Sequence, residues 1–537
     1  MSRKPLLVIF ITVFVDLLGF GIVLPLLPRY AEHFLPAAVS SEMSDADRVE
    51  GDATSKVVDS KETSRVESAN SSRRSPRVGL ILGCLMASFS AMQFLFAPLW
   101  GMLSDRIGRR PVLLIGLAGS TIFYALFALV TQLGNSGPIL GFSPIVWLFV
   151  TRIGAGIAGA TIPTAQAYIA DNTDEKTRGK GMAIIGAAFG IGFTFGPLLG
   201  SMFVPDNLVS APSAAPGYVA AILSGLAFLF GWTSLPESLK RDSAIRSASH
   251  GWLRFGSTVR VLANRSLGPI VLAIFMTTFA FAQLETTLAT LTRRIGVGDR
   301  HNFYVFAYIG LILTLAQGML VRRLIPRLGE LRMAIIGVVL MTAGLFLIGQ
   351  MASHSQQLKV ITEQLAELRI DRLLKTFESQ HGRLPNDYQD LVKVVIEANQ
   401  LKMPPLPTGY VYDFDRERQT VVIHDGPSQI ISPFWMLIAM LPVVVVGFSA
   451  TTPALQSMLS LNTEDDEQGE VLGVGQSLSA LARIAGPVVG MTLQDRNLAY
   501  PYWFGGILMG LGILMVSRLK SVIKHRASES PNAVSSH

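Results

Sequence analysis

Charge is what this chain has least of. Only 15% of its 537 residues are Asp, Glu, Lys or Arg, while 50% are hydrophobic; a water-soluble chain of that length carries about 25% charge. The single cysteine, Cys84, excludes an intrachain disulfide. The eight histidines are sparse, by the sequence count outside the apolar runs, and no metal or catalytic-triad constellation stands out. No P-loop is present, which argues against ATP as an energy source and leaves no reason to read an enzyme. The net charge of +7 does not imply nucleic acid, because the basic residues are spread over loops between apolar runs rather than gathered on one soluble face.

What is abundant is apolar sequence in lengths that matter. A helix crossing a bilayer needs about 20 apolar residues. Twelve such runs can be counted, at 5–29, 78–101, 111–132, 145–170, 181–203, 217–236, 268–290, 303–321, 333–353, 432–458, 471–492 and 499–517. The first follows Arg3 and Lys4, as in a signal peptide, but it is too long for one and reads as an uncleaved span. An even number of crossings puts both termini on one side. The segments on that side hold 22 Lys and Arg, against four in the short loops opposite (Arg293, Arg294, Arg300 and Arg496). This asymmetry predicts cytoplasmic termini.

Two polar blocks interrupt the pattern, both on the outer side. Residues 36–77 are rich in Ser, Asp, Glu and Arg without apolar periodicity, and are expected to be disordered. In 354–431, Leu358, Ile361, Leu365 and Leu368 predict an amphipathic helix running out of span nine. A shorter helix follows from Pro385-Asn386 to about Asn399. Tyr410–Phe414 and Thr420–Ile423 read as a β-hairpin. The run from Phe377 to Tyr410 resembles the soluble part of secretion-system pseudopilins.

Between the second and third runs stands Gly101-Met-Leu-Ser-Asp105-Arg106-Ile-Gly108-Arg109-Arg110. Read alone, it is a short basic loop of the positive-inside kind. Its spacing, charge order and flanking spans resemble the signature loop of the major facilitator superfamily. Residues 15–28, with Asp16 among Gly19, Gly21, Pro25 and Pro28, resemble the first span of tetracycline-type efflux proteins. Arg152 heads a Gly-rich run similar to that family's fourth-helix arginine motif, associated with proton coupling. Gly192, Gly196, Pro197 and Gly200 resemble the antiporter motif of facilitator exporters, with Ala183 and Ser201 at two positions where glycine is expected. The same glycines are small-xxx-small steps that let a second helix pack at backbone distance.

An internal echo is visible. Gly101-Met-Leu recurs as Gly318-Met-Leu with Arg322, Arg323, Arg327 and Gly329 behind it, and Gly196-Pro197 recurs as Gly486-Pro487. Each pair lies six spans apart, as in two repeats related by an axis along the membrane normal. The resemblance implies that Asp105 lies near the start of span eleven, where a helix N-terminus favours an anion. Such a contact would latch the cytoplasmic side.

Of 83 charged side chains, four fall inside the runs: Asp16, Arg152, Glu285 and Arg483. Each costs about 2.5–3.5 kcal/mol at a helix centre on insertion scales. They read either as structural pairs or as a path for protons and substrate. Glu285 is a cavity acid or the partner of an arginine such as Arg483. Gln93, Gln166, Gln283, Gln317 and Gln456 offer polar groups to substrate or bridge helices. Gln476, Ser479, Arg483, Gly486 and Gly490, with Pro487, share a stripe of span eleven that reads as an inter-helix seam.

The expectation is an all-α membrane protein of twelve spans in two six-helix bundles, 1–236 and 268–517, with a linker at 237–267, a small α+β insertion at 354–431 and a cytoplasmic tail at 518–537. Its predicted function is secondary active, proton-coupled efflux of a small amphipathic compound or drug. The alternatives are a facilitator for metabolite uptake, or a non-transporting receptor or assembly protein using 354–431. No cofactor is expected, the proton gradient being the energy source. The expected partners are a small-molecule substrate and the lipid bilayer, with no nucleic acid. The chain is expected to be monomeric in a cell membrane of the bacterial inner-membrane type, with 354–431 as the place for a protein partner.

Overall fold

The structure, a computed structural model, describes residues 3–35, 76–239, 255–425 and 433–529, apart from 174, 205–210, 296, 369, 382, 386, 398, 400, 402, 405, 407–409, 416–419 and 464–467. Most of the 36–77 block, part of the 237–267 linker and the end of the tail therefore lie outside the described residues.

Twelve long helices are present among them. α1 (Arg3–Val23) passes through a 3₁₀ turn at Leu24–Leu26 and continues helical to residue 35. α2 (Pro76–Ile107), α3 (Arg109–Gly134) and α4 (Pro144–Ala158, resumed at Ile162–Asp171) follow. α5 (Glu175–Ser201) and α6 (Ala215–Ser234) complete the first half. The second half holds α7 (Leu267–Arg294) and α8 (Asp299–Leu315, a π-helical turn at Ala316–Val321, then Arg322–Leu328). It continues with α9 (Glu330–Glu367), α10 (Pro433–Leu461), α11 (Gln468–Arg496) and α12 (Tyr500–Glu529). Ten of the twelve are long and apolar enough to cross a membrane. α5 and α11 fall outside that measure. The first half of α5 is outside the described side chains, and α11 carries Gln476, Arg483, Gln494, Asp495 and Arg496.

Each half packs around its own pairs, and two long contacts join the halves, α2 along α11 and α5 along α8. Both are built on glycine, α2–α11 near the end remote from the chain termini and α5–α8 toward the middle of the helices. A Cβ placed on Gly83 would lie 2.7 Å from Val488 Cα, and one on Gly310 2.6 Å from the Phe193 carbonyl. At the opposite end, which we call the terminal face, Gly101, Gly318 and Gly473 meet nothing within 4 Å. Among the described residues, the seams are thus closed toward the far face and parted at the terminal face. Within the first half, Gly196 rests on Gly21 of α1; within the second, Gly486 and Gly490 rest on α7 at Phe279, Gln283 and Thr287. The two glycine-proline positions occupy equivalent places in the two halves.

The ten residues read as a loop are mostly helix. Gly101–Ile107 complete α2, and the chain turns at Gly108 alone, with φ +108°. Gly329 ends the equivalent helix of the second half with φ +78°. Residues with side chains avoid such φ values. Gly108 N–H and Gly329 N–H each donate to the carbonyl four residues back, Ser104 and Ile325, at 3.2 and 2.9 Å.

α9 runs without a break from the apolar bundle into the insertion. There, helices at Ile370–His381 and Tyr388–Leu391, a π turn at Val392–Glu397 and a hairpin of β1 (Tyr410–Asp415) with β2 (Thr420–Asp425) enclose a separate apolar core. Tyr410 pairs with Asp425 and Asp415 with Thr420. Leu374, Leu391, Val395 and Phe414 are central to that core.

Two outcomes follow. Gly196→Val forces a side chain where even a Cβ would sit 2.9 Å from Gly21 Cα; thermal unfolding in detergent should report a loss of about 1–3 kcal/mol. In the insertion, burial raises the phenol of Tyr388, and burial with the neighbouring Tyr388 raises that of Tyr412. A raised pKa favours the neutral form in the fold, so this contribution is intact below the ordinary phenol value of about 10 and is lost as pH rises through the folded values. Ultraviolet difference titration of Tyr388→Phe and Tyr412→Phe against the parent should place both ionisations above the ordinary value.

Candidate functional site

The parted halves enclose a cavity of about 440 Å³. α1 contributes Thr12, Leu17 and Phe20, and α2 contributes Phe89 and Gln93. Arg152 comes from α4, Glu285 from α7, Gln317 from the π turn of α8, and Arg483 from α11.

Arg152 is 2% exposed. Its guanidinium lies 4.5 Å from the Phe89 ring centroid and 5.9 Å from that of Phe20. Cation–π attraction is strongest where water is excluded. Among the described groups its Nε and Nη1 have no hydrogen-bond partner. Gly156, one turn further, is filled by the α2 backbone at Phe89 rather than by water. Below it α4 breaks at 159–161. Pro163 has no N–H to offer the Gly159 carbonyl, and Gln93 Nε2 donates there instead at 3.1 Å. Trp100 Nε1 donates to the Ile157 carbonyl at 2.7 Å. The polar groups of α2 thus satisfy the carbonyls freed by the break.

Opposite, Glu285 and Arg483 line the same cavity from neighbouring helices, and among the described residues they form no ion pair within 4 Å. Arg483 is exposed to the cavity rather than sealed in a seam, while Gly486 and Gly490 of that stripe pack against α7. Pro487 lines the cavity, its carbonyl facing Gly83 of α2. Gln476 belongs to a smaller pocket with Gln456, Leu459 and Ile274. For Gln283 the helix-bridging alternative holds, and not its place among the cavity residues. It is 1% exposed and its Nε2 donates to the Pro501 carbonyl at 2.7 Å, so it bonds α7 to α12 and does not reach the cavity. Asp16 lies in α1 at four-residue spacing from Thr12 and Phe20; its side chain is outside the described residues.

At the terminal face, Asp105 pairs with Arg109 (Oδ1–Nη1, 2.5 Å); the start of α11, where the latch is expected, has its side chains before Val471 outside the described residues. Arg109 reaches Asp171 at 3.2 Å and Ser104 Oγ at 2.6 Å, and Arg110 donates to the Trp232 carbonyl at 2.6 Å. Arg106 closes α2. One important residue was not singled out in the sequence. Glu237 accepts from the backbone N–H groups of Arg109 and Arg110 at 2.9 and 3.1 Å, supplying the helix cap that Gly108 lacks. The only sequence signal is an acid just beyond span six.

The far face holds a second unforeseen group. Glu32 and Arg293 form an ion pair of 2.8 Å between α1 and α7, and Arg300 donates to the Val204 carbonyl at 3.4 Å. Arg293 is therefore part of a helix, not of an outer loop. His33, His301 and His354 likewise lie within extended helices rather than outside the spans.

Gln283 and Glu285 predict opposite phenotypes. Gln283→Leu strands the Pro501 carbonyl and should lower thermal stability by about 1–3 kcal/mol, while ligand binding in the cavity stays unchanged.

The profile of the Major Facilitator Superfamily matches residues 9–358. The class C tetracycline resistance protein of Escherichia coli is 31% identical over 351 residues, covering 63% of this chain and 71% of that protein. Major facilitator superfamily domain-containing protein 10 of Homo sapiens is 30% identical over 370 residues, covering 65% and 73%. The crystal structure of the human organic anion transporter MFSD10 superposes with a TM-score of 0.57 at 23% identity, covering 96% of this chain and 99% of that one. A D-xylose-proton symporter reaches 0.61 at 14% identity over 96% and 97%. A cavity between two six-helix halves, a profile match across most of the first nine helices and these relatives agree: the chain belongs to the Major Facilitator Superfamily.

Proposed function

We propose that this member of the superfamily is a proton-coupled exporter of a small amphipathic compound, working by alternating access. The observation that carries the reading is Glu285. It is an acid that faces the same cavity as Arg152 and Arg483, with no ion pair among the described residues. Such a group exchanges a proton for a substrate cation or dipole without first breaking a structural bridge. Arg152 and the rings of Phe20, Phe89 and Phe281 give the cavity both charge and flat apolar surface, as an amphipathic substrate needs. Asp16 of α1 is the second candidate acid, and Gln93 is a polar group of the cavity wall. The similarity to proteins named for tetracycline resistance supports drugs or drug-like compounds as cargo. The terminal face is the cytoplasmic one in this reading, on the strength of its Lys and Arg excess. The cavity then opens to the cytoplasm, ready to load. The cell membrane is the site of action, the chain works as a monomer, and the proton gradient replaces any cofactor.

The test is transport in inside-out vesicles. An imposed pH gradient, acid inside, should drive accumulation of a fluorescent amphipathic drug by the parent. Glu285→Gln and Asp16→Asn should each abolish the gradient-driven part and leave counterflow exchange down a substrate gradient. Full gradient-driven accumulation by both variants would overturn the reading.

A further inference from the structure

α2 and α11 lie side by side and run in opposite directions. Each ends on the same four-residue pattern, Leu103-Ser-Asp105-Arg106 in α2 and Leu493-Gln-Asp495-Arg496 in α11. A carboxylate in the last turn of a helix faces the negative end of its own dipole, an unfavourable place that the start of another helix relieves. Asp495 finds that relief across the junction of the two halves. Its carboxylate accepts the backbone N–H of Gly79, in the first turn of α2. The approach requires glycine, since a Cβ on Gly79 would collide with the Asp495 carboxylate and stand 2.5 Å from the Met491 carbonyl. Asp105, at the matching place of α2, is turned to Arg109 of its own half, and Gly101 beside it meets nothing.

We propose that Asp495 is a positioning residue that locks the far face, with Gly79 as its receptor, and that it must release α2 before the cavity opens to that side. The two ends of the α2–α11 pair then carry equivalent carboxylates, one engaged while the other is disengaged. Glu32–Arg293 adds a second tie at the far face, on the α1–α7 pair. Asp495 is not among the residues that line the cavity, so its effect is on the balance of conformations and not on substrate contact.

The inference rests on the alternating-access reading above, and distance measurements separate the two. Spin labels are placed on the full-length Cys84→Ser chain in lipid nanodiscs. One pair, Phe142→Cys with Tyr500→Cys, spans the far face; another, Thr233→Cys with Leu461→Cys, spans the terminal face. Double electron–electron resonance reads both distances. Asp495→Asn should raise the far-open population about tenfold, as expected for loss of one hydrogen bond to a charged group, with shortening at the terminal face. Gly79→Ala, which keeps every charge, should do the same. The double variant should add nothing further, and Asp495→Glu should fall between parent and Asp495→Asn. Two populations in the parent that neither substitution shifts would overturn the latch while leaving alternating access standing. A single unchanging distance at both faces, in every variant and with the amphipathic drug added, would overturn both. Thermal unfolding of Gly79→Ala guards against a variant that merely misfolds, because a loss of structure broadens both distances instead of moving them in opposite senses.

Discussion

A charge in hydrocarbon has three ways to be tolerated: water, an opposite charge, or a polarisable face. The charged side chains described within the helix bundle are divided among them. Arg152 is packed over two phenyl rings. Glu285 and Arg483 face an open chamber. Glu32 and Arg293 hold one another. An intramembrane charge pointing at lipid would cost several kcal/mol with no return, so the chamber and the charges require each other, and the two-half architecture is what provides the chamber.

That architecture rests on small residues. The halves touch where α2 meets α11 and α5 meets α8, and at both places a backbone passes another at a distance only glycine permits. In lipid the apolar side chains of neighbouring helices gain little over contact with acyl chains, so close van der Waals approach decides which surfaces bind. A seam made this way is tight where the glycines are and free where they face nothing, which suits two bodies that pivot rather than slide. Gly108 and Gly329 repeat the theme in the turns, each ending a helix at φ values that no branched side chain accepts.

Much of this was legible in the sequence. Length and polarity gave the spans, the paired glycine-proline steps gave the duplication, and alternation gave the hairpin at 410–425. The failures have a common physical origin. Helical periodicity says which residues share a face, not what that face looks upon. Gln283 and Glu285 are two residues apart and so point to nearly opposite sides of α7; sequence grouped them, and packing separated them. Arg483 was assigned to a seam through its neighbours Gly486 and Gly490, which turn away toward α7 while it faces the chamber. Glu32 was missed because the first apolar run, as read from the sequence, stops at residue 29, just past Pro25 and Pro28. Proline is tolerated in the first turn of a helical segment, and α1 resumes through a 3₁₀ turn and keeps going. Glu237 caps a helix that begins 128 residues before it, a long-range contact with no local trace.

α9 is a single helix of 38 residues, about 57 Å from end to end. It starts inside the second bundle and finishes in the folded insertion, with no hinge at the membrane boundary. A rigid rod anchored in a rocking body is a lever arm: tilting it by about 10° sweeps its outer tip through about 10 Å. Under the alternating-access proposal the appended domain, carried at the end of that rod, would be displaced farther than any part of the bundle beneath it.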